Sequence, residues 1–522
     1  MKPRHAQPLN SYAMKLSKSL FLAFAGLGLF ACSNEDNVPS TDNSHSGTFL
    51  TLTLVGTENS GSRTVAGEDG TVEGTVAEST ISEAMVVLCA SDGTIQSAKK
   101  VSCIKKDDSS VETYPVEAGV GTYYVYVIAN PGTTLFDGIT GNIKSLEKAI
   151  TSSADFATNS QFLMFSECHG TDKTGGQEIT VSAENDYDNP ARTAEPIKLD
   201  RLAAKITYEE KQGGVDISAA EGELTELTGI TFNGFALVNG IKNFYLQQHW
   251  NAAAPTTKGS SHINTLLTPI VTNNASDNFY NRWDDFRTVT KVSDSYTAAV
   301  DVKNTSFTTN ALYCMENNSG STADNCFAEG SDLNGNTTGV IFKATATVTG
   351  SDECAGKNCF YAYNGEYFAT LGAVQAKYSA VFDDKDGLDN DRIEELAAAE
   401  AELKSAKAGT ASEEATVKTI SDFRVKYNIH VYEDGVMYYT HYIEDQNYTA
   451  ADSEQAQVNY QSVMRNTIYG LTVNSVKNIG DDIPGGWNPD TDPEDPTTPK
   501  TYLVVECQVN PWVLSNYDVD LQ

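Results

Sequence analysis

Basic residues are scarce in this sequence. Its 522 residues hold 36 Lys and Arg against 70 Asp and Glu, a formal net charge of −34. Nothing in such a chain neutralises phosphates, so nucleic acid is excluded as a partner; the acidity reads as that of an exported, soluble surface. Histidine is scarce as well. The seven are dispersed, no Cys-x-x-Cys pair accompanies them, and no metal site is expected. His-Glu-x-x-His, Gly-x-Ser-x-Gly, a phosphate loop and a dinucleotide fingerprint are all missing, so neither enzyme activity nor a cofactor is expected. Carboxylate pairs abound in so acidic a chain and discriminate nothing. Long apolar runs are missing too. The run Leu20 to Leu29 is too short to span a bilayer comfortably, and none downstream is long enough.

That short run organises the N-terminus. Lys15 and Lys18 precede it, and it ends Leu29-Phe30-Ala31-Cys32, the plan of an export signal. A small residue before Cys resembles the bacterial lipobox, which implies cleavage before Cys32, acylation of Cys32 and a lipid as the membrane anchor. The polar start Ser33-Asn34-Glu35-Asp36 is similar to the acidic tag that sends lipoproteins of the Bacteroidota to the outer face of the outer membrane. Met14 reads as the natural start. With Cys32 set aside, eight of the nine cysteines remain, an even count that permits disulfides in an exported chain. Cys314 with Cys326, and Cys354 with Cys359, are close enough to staple loops.

Beyond the signal, short strands alternate with turns, the pattern of an all-β chain. Leu50, Leu52 and Leu54 alternate with Phe49, Thr51, Thr53 and Val55, which predicts one strand; a Gly- and Ser-rich loop carrying Arg63 and Thr64 follows it. Strands are predicted at Ala84–Cys89, Tyr123–Ala129, Phe162–Ser166, Gln177–Ala183 and Pro196–Ile206, with a short helix at Ile143–Ser152. A second β-rich stretch runs from about Lys205 to Gly480. It includes one amphipathic helix, Asp391–Lys407, and an acidic surface turn at Phe382–Asp391. Trp250 and Trp283 are isolated aromatics, more often core than sugar platforms. The linker Gly485 to Pro499, rich in Pro and acid, stays extended and holds the next segment off the body. That segment repeats the apolar comb: Leu503, Val505, Cys507 and Val509 share a face, Trp512 follows, and Pro511 should stop the strand.

Several passages resemble the fimbrillins, the type V pilins of the Bacteroidota. Leu199-Asp200-Arg201-Leu202-Ala203-Ala204-Lys205-Ile206 is similar to their Leu-Glu-Arg-x-x-Ala-Lys-Val strand. Ala311 to Asn317 is similar to a Tyr-x-x-Glu-Asn strand end. Val463-Met464-Arg465-Asn466-Thr467-Ile468-Tyr469-Gly470-Leu471-Thr472-Val473 matches Val-x-Arg-Asn-x-x-Tyr-x-Leu-x-Val. The likeness is nearest to the major subunits of minor fimbriae. It implies two tandem transthyretin-like, Greek-key β-sandwich domains with one inserted helix and a C-terminal donor-strand tail. The boundaries expected are a signal over 1–31, a lipidated propeptide over 32–63, domains over 64–205 and 206–483, a linker over 484–499 and a donor strand over 500–522.

The function implied is that of a shaft subunit of a surface fimbria, supporting adhesion and biofilm formation. An arginine-specific protease would cut after Arg63, leaving Thr64 as the new N-terminus; an ordinary exposed arginine is the alternative reading of Arg63. The strand with Leu50, Leu52 and Leu54 would leave, and the tail of another copy would fill its place. Partners would be copies of the chain in a head-to-tail polymer, with anchor and tip subunits, and the outer membrane only before cleavage. The other readings are a fimbrial anchor or tip subunit, or a surface glycan-binding lipoprotein of the mostly helical starch-utilisation type.

Overall fold

The computed structural model describes residues 46–56, 72–107, 110–132, 134–158, 161–166, 176–251, 265–269, 279–291, 298–303, 306–318, 337–354, 357–379, 424, 429–445, 462–487 and 503–513. Met1–Gly47 is one compact unit and Thr48–Gln522 the other; the described strands and helices all belong to the second. Strands dominate. The described helices are short: Val76–Ser79, Ser218–Glu223, Trp283–Phe286 and Leu371–Lys377. The chain is therefore all-β, as its turn-punctuated alternation requires. The helix expected at Asp391–Lys407 and the acidic turn before it lie outside the described residues. The helix expected at Ile143–Ser152 does not form. Ile143–Ser145 is a single 3-10 turn, after which Leu146 turns extended. Glu147–Ala149 then pairs with Asn243–Tyr245, because an open ladder edge satisfies more backbone groups than one more helical turn.

The largest sheet has eight strands. Their order is Met164–Ser166, Ile197–Arg201, Thr53–Gly56, Ser110–Thr113, Ile95–Lys105, Glu83–Cys89, Gly121–Ala129 and Gln177–Val181. Met164–Ser166 also pairs with Gly121–Ala129, so the first seven close into a ring, which removes their free edges. Leu54, Val87, Val127 and Leu199 meet in one apolar cluster.

The single strand expected over Phe49–Val55 is divided. Phe49–Leu50 pairs with Val116–Glu117, while Thr53–Gly56 enters the ring, antiparallel to Ser110–Thr113 and parallel to Ile197–Arg201. Thr51 makes the changeover. Its hydroxyl donates to the Thr113 carbonyl (2.5 Å), and the Leu52 N–H donates to Thr113 Oγ1 (3.0 Å). Side chains thus satisfy backbone groups that a continuous ladder would have used.

The chain leaves the ring at Leu202. Ala203–Glu210 belongs to a five-stranded sheet in the order Leu312–Met315, Ala203–Glu210, Thr467–Val476, Leu503–Val513, Val72–Glu73. Ile206, Tyr469, Leu471 and Val473 from this sheet share a second apolar cluster with Phe235, Phe342 and Tyr439. Those three stand on the three-stranded sheet Leu227–Val238, Gly339–Val348, Val436–Tyr442, so the two sheets pack face to face. Trp283 is core, as expected, packed with Phe286, Ile341 and Tyr442. Cys359 is disulfide-bonded, whereas Cys89, Cys103, Cys314 and Cys507 are free thiols. The staple suggested between Cys314 and Cys326 is therefore not made. Cys314 sits wholly inside the second cluster, and burial pushes its thiol up to about 12.

One turn has no room for a side chain. Asp434 and Gly435 both take positive φ (51° and 67°) where the chain passes from His430–Glu433 to Val436–Tyr442. A Cβ on Gly435 would come within 2.2 Å of the Ala346 carbonyl oxygen, whose residue's N–H donates to Gly435 O. Gly435→Ala is expected to cost about 1–3 kcal/mol or more. A thermal melt checks this, and an unchanged midpoint would contradict it.

Candidate functional site

Leu50, Leu52 and Leu54 are each 0% exposed, packed among Val111, Val116, Ala191 and Ile197. Full burial stabilises by roughly 1.5–3 kcal/mol for each such side chain. On the other side of this strand Thr53 meets polar groups. Lys106 Nζ donates to Thr53 Oγ1 (2.7 Å). Lys106 also pairs with Glu112 (3.4 Å), the residue opposite Thr53 in register. Arg192 reaches the same Glu112 oxygen. Arg192 above all, against a desolvation penalty and with help from Lys106, holds the Glu112 carboxyl below its ordinary range. Two cations thus share one carboxylate beside the strand.

The tail strand lies in the other sheet. Leu503–Val513 runs antiparallel to Thr467–Val476, and Pro511 stands in register with Thr467. Trp512 and Val513 pair in parallel with Val72 and Glu73. This corrects two expectations. The tail is docked on its own body and not held away from it, and the strand does not stop at Pro511. A ladder edge at Thr467–Val476 and an apolar comb in water are both unfavourable alone, so they meet. Proline is tolerated because the second neighbour, Val72–Glu73, pairs only with Trp512 and Val513, beyond it. Docking is shallow, however. Leu503, Val505 and Cys507 are only partly buried against the second cluster, and Glu506 and Gln508 are exposed. The removable strand and the tail are not brought together; they occupy different sheets. Cys32, Arg63, Thr64 and the side chains of Val509 and Trp512 lie outside the described residues.

Between these two strands a buried polar joint pins the chain. Thr75 and Glu78 form a capping box on Val76–Ser79. The Glu78 carboxylate accepts from Thr75 N (2.7 Å) and Tyr313 Oη (2.7 Å) and pairs with Lys205 (2.7 Å). Burial alone would raise its pKa; Lys205, Tyr313 and the Thr75 N–H outweigh that and hold it low. Arg201, within the Leu199–Ile206 passage, is buried. It donates from Nε to Glu78 O (2.9 Å) and from a terminal nitrogen to Ser79 Oγ (3.1 Å). Asn466 donates to Asp200 (3.0 Å). Arg465 pairs with buried Glu316 and donates to the carbonyls of Leu246 and Tyr245 (2.7 Å each). Residues 75–79 are therefore held by strands far away in sequence, whatever happens upstream of them. Glu316 is the Glu of the Tyr-x-x-Glu-Asn strand end; Glu78, Lys106, Glu112 and Arg192 stand in no passage read from sequence, and of these only Glu78 left a signal, the capping-box spacing Thr75-x-x-Glu78.

Among the described residues no group of three or more His, Cys, Asp and Glu could hold a metal ion, and no described helix is long and apolar enough to cross a membrane. Two family models match the sequence. One is described as the major fimbrial subunit protein (FimA) and matches residues 48–201. The other, described as the major fimbrial subunit protein type IV, fimbrillin, C-terminal, matches residues 430–518. The first segment contains the ring with Leu50, Leu52 and Leu54; the second contains Arg465, the strand Thr467–Val476 and the tail strand. A comparison with curated proteins finds no match. Among solved structures the chain is similar to a proposed cell adhesion protein from Parabacteroides distasonis ATCC 8503, at 13% identity over 89% of this chain and 100% of that one, with a TM-score of 0.42. It is similar to a fimbrilin (fimA) from Porphyromonas gingivalis W83 at 12% identity over 90% and 99%, TM-score 0.40. It is also similar to the C-terminally truncated tip fimbrial protein Mfa3 from Porphyromonas gingivalis, at 11% over 89% and 99%, TM-score 0.33.

Proposed function

The chain belongs to the fimbrillins of the Bacteroidota, and from that premise we propose that it is the shaft subunit of a surface fimbria, assembled by exchange of one strand. Fimbrillins are structural subunits of cell-surface fimbriae, and that much holds for this chain. The finer reading runs as follows. The chain is exported as a lipoprotein on Cys32 and cut after Arg63 by an arginine-specific protease. The segment carrying Leu50, Leu52 and Leu54 leaves, and Leu503–Val513 of another copy enters. Residues 64–205 and 206–483 act as two β-sandwich domains around the polar joint.

One contrast carries the proposal: the apolar comb of the tail is half-buried on its own body, while the comb of the first strand is wholly buried in the ring. A tail that moves from the first setting to the second gains buried apolar area, and apolar burial is the main driving term in association. The ring that loses a strand regains its ladder partners. A donor and an acceptor at different places on one chain make a head-to-tail contact, which leaves the polymer open. A tip subunit needs no donor tail and a basal anchor should keep its lipidated strand, so possession of both favours the shaft. The mostly helical glycan-binding alternative is disfavoured by the dominance of strands.

The test uses protein starting at Ser33, treated with an arginine-specific protease. N-terminal sequencing should read from Thr64, and ladders should appear on gels run without boiling. Truncation after Pro499 should remove the ladders and leave a folded monomer. Ladders from the truncated chain, or none from the full one, would overturn the proposal.

A further inference from the structure

Resting on the strand-exchange reading, we propose that Lys106 of the receiving subunit forms an ion pair with Glu506 of the incoming tail, and that this pair selects the tail and its register. The argument begins at Thr53. In the uncut chain this outward-facing threonine receives Lys106 Nζ at 2.7 Å. Glu112 is shared between Lys106 and Arg192, so beside Thr53 two cations face one carboxylate. When the strand leaves, Lys106 loses its hydroxyl partner and the mouth of the groove keeps an excess of positive charge.

The tail supplies the opposite sign at one place. Glu506 is the one charged residue within Leu503–Val513. Strand alternation puts it on the outward face when the comb turns inward. With the tail running in the direction of the departed strand, Leu503, Val505 and Cys507 replace Leu50, Leu52 and Leu54, and Glu506 takes the position of Thr53. With the tail reversed, Val509, Cys507 and Val505 replace the same leucines in turn, and Glu506 again takes the position of Thr53. A slip by two residues in either sense puts Gln508 or Val504 there instead, so the charged pair marks one register. Before exchange Glu506 is exposed, with only a long contact from Asn474 (3.5 Å), so little is lost on release. Lys106 is itself 41% exposed, which places the pair at the rim, where charge governs association rate and specificity more than final affinity.

The experiment measures the rate of ladder formation after arginine-specific cleavage, which does not cut at Lys106. Lys106→Glu and Glu506→Lys should each slow laddering about tenfold, and a chain carrying both reversals should recover to within about twofold of the parent. Glu506→Gln should slow it less and weaken its dependence on salt. Melts of the uncut variants check folding. Single reversals that ladder at the parental rate, or a double reversal that stays slow although folded, overturn the pairing. Ladders from a chain truncated after Pro499 would instead sink strand exchange itself, which separates the two failures.

Discussion

Arg465→Met is expected to lower the stability of the chain by about 3–5 kcal/mol. Arg465 is 1% exposed, and its partner Glu316 3%. Beyond that ion pair, the guanidinium donates to the carbonyls of Leu246 and Tyr245. Glu316 also accepts from Gln248 (2.8 Å). Methionine fills much of the volume and meets none of these needs. It leaves a carboxylate out of water with Gln248 alone to offset its charge, and two carbonyls short of a donor. An uncompensated buried charge is the costly part. Removing both charges together, as Arg465→Met with Glu316→Met, should therefore recover a large part of the loss. Urea denaturation of the uncut chain reads all three values. A single variant within about 1 kcal/mol of the parent would mean that the pair is solvated in solution and that the joint does not depend on it.

Leu52→Ala and Val505→Asp should behave as opposites. Leu52 is 0% exposed within the ring, so its truncation should cost the uncut chain about 2–5 kcal/mol. If assembly exchanges the strand as proposed, the same residue is absent from the fibre, and the melting of the fibre should be unchanged. Val505 is only partly buried, opposite Val473, where an aspartate costs the uncut chain roughly 1 kcal/mol. In the groove that aspartate would take a fully buried place with no partner, and ladders should vanish. Denaturation of uncut protein together with gels of cut protein measures all four effects. A fibre weakened by Leu52→Ala, or one formed normally by Val505→Asp, would show that the first strand stays in place after assembly.

The legible and illegible parts of this molecule divide along a physical line. Alternation at Leu50, Leu52 and Leu54, and again at Leu503, Val505 and Cys507, announced strands with one apolar face, because side-chain direction along a strand is a local property. The Arg465-Asn466 passage announced its family for the same reason. Pairing is not local. The partners of Lys205 and Arg201 are Glu78 and Ser79, more than a hundred residues upstream, and no periodicity connects them. The Phe49–Val55 strand divides because Thr113, far along the chain, captures Thr51 and Leu52. Pro511 failed as a stop signal because its meaning depends on what lies beside the strand, and the second neighbour pairs only beyond it.

The order of residues alone thus determined an all-β chain with two matching apolar combs, one near each end, and an acidic surface between. The tertiary structure decided which comb is sunk completely and which is only partly buried, where Lys106 stands, and that the tail lies on its own sheet. Burial and ladder partners are set by contacts between segments remote in sequence, and such contacts exist only once the chain has folded.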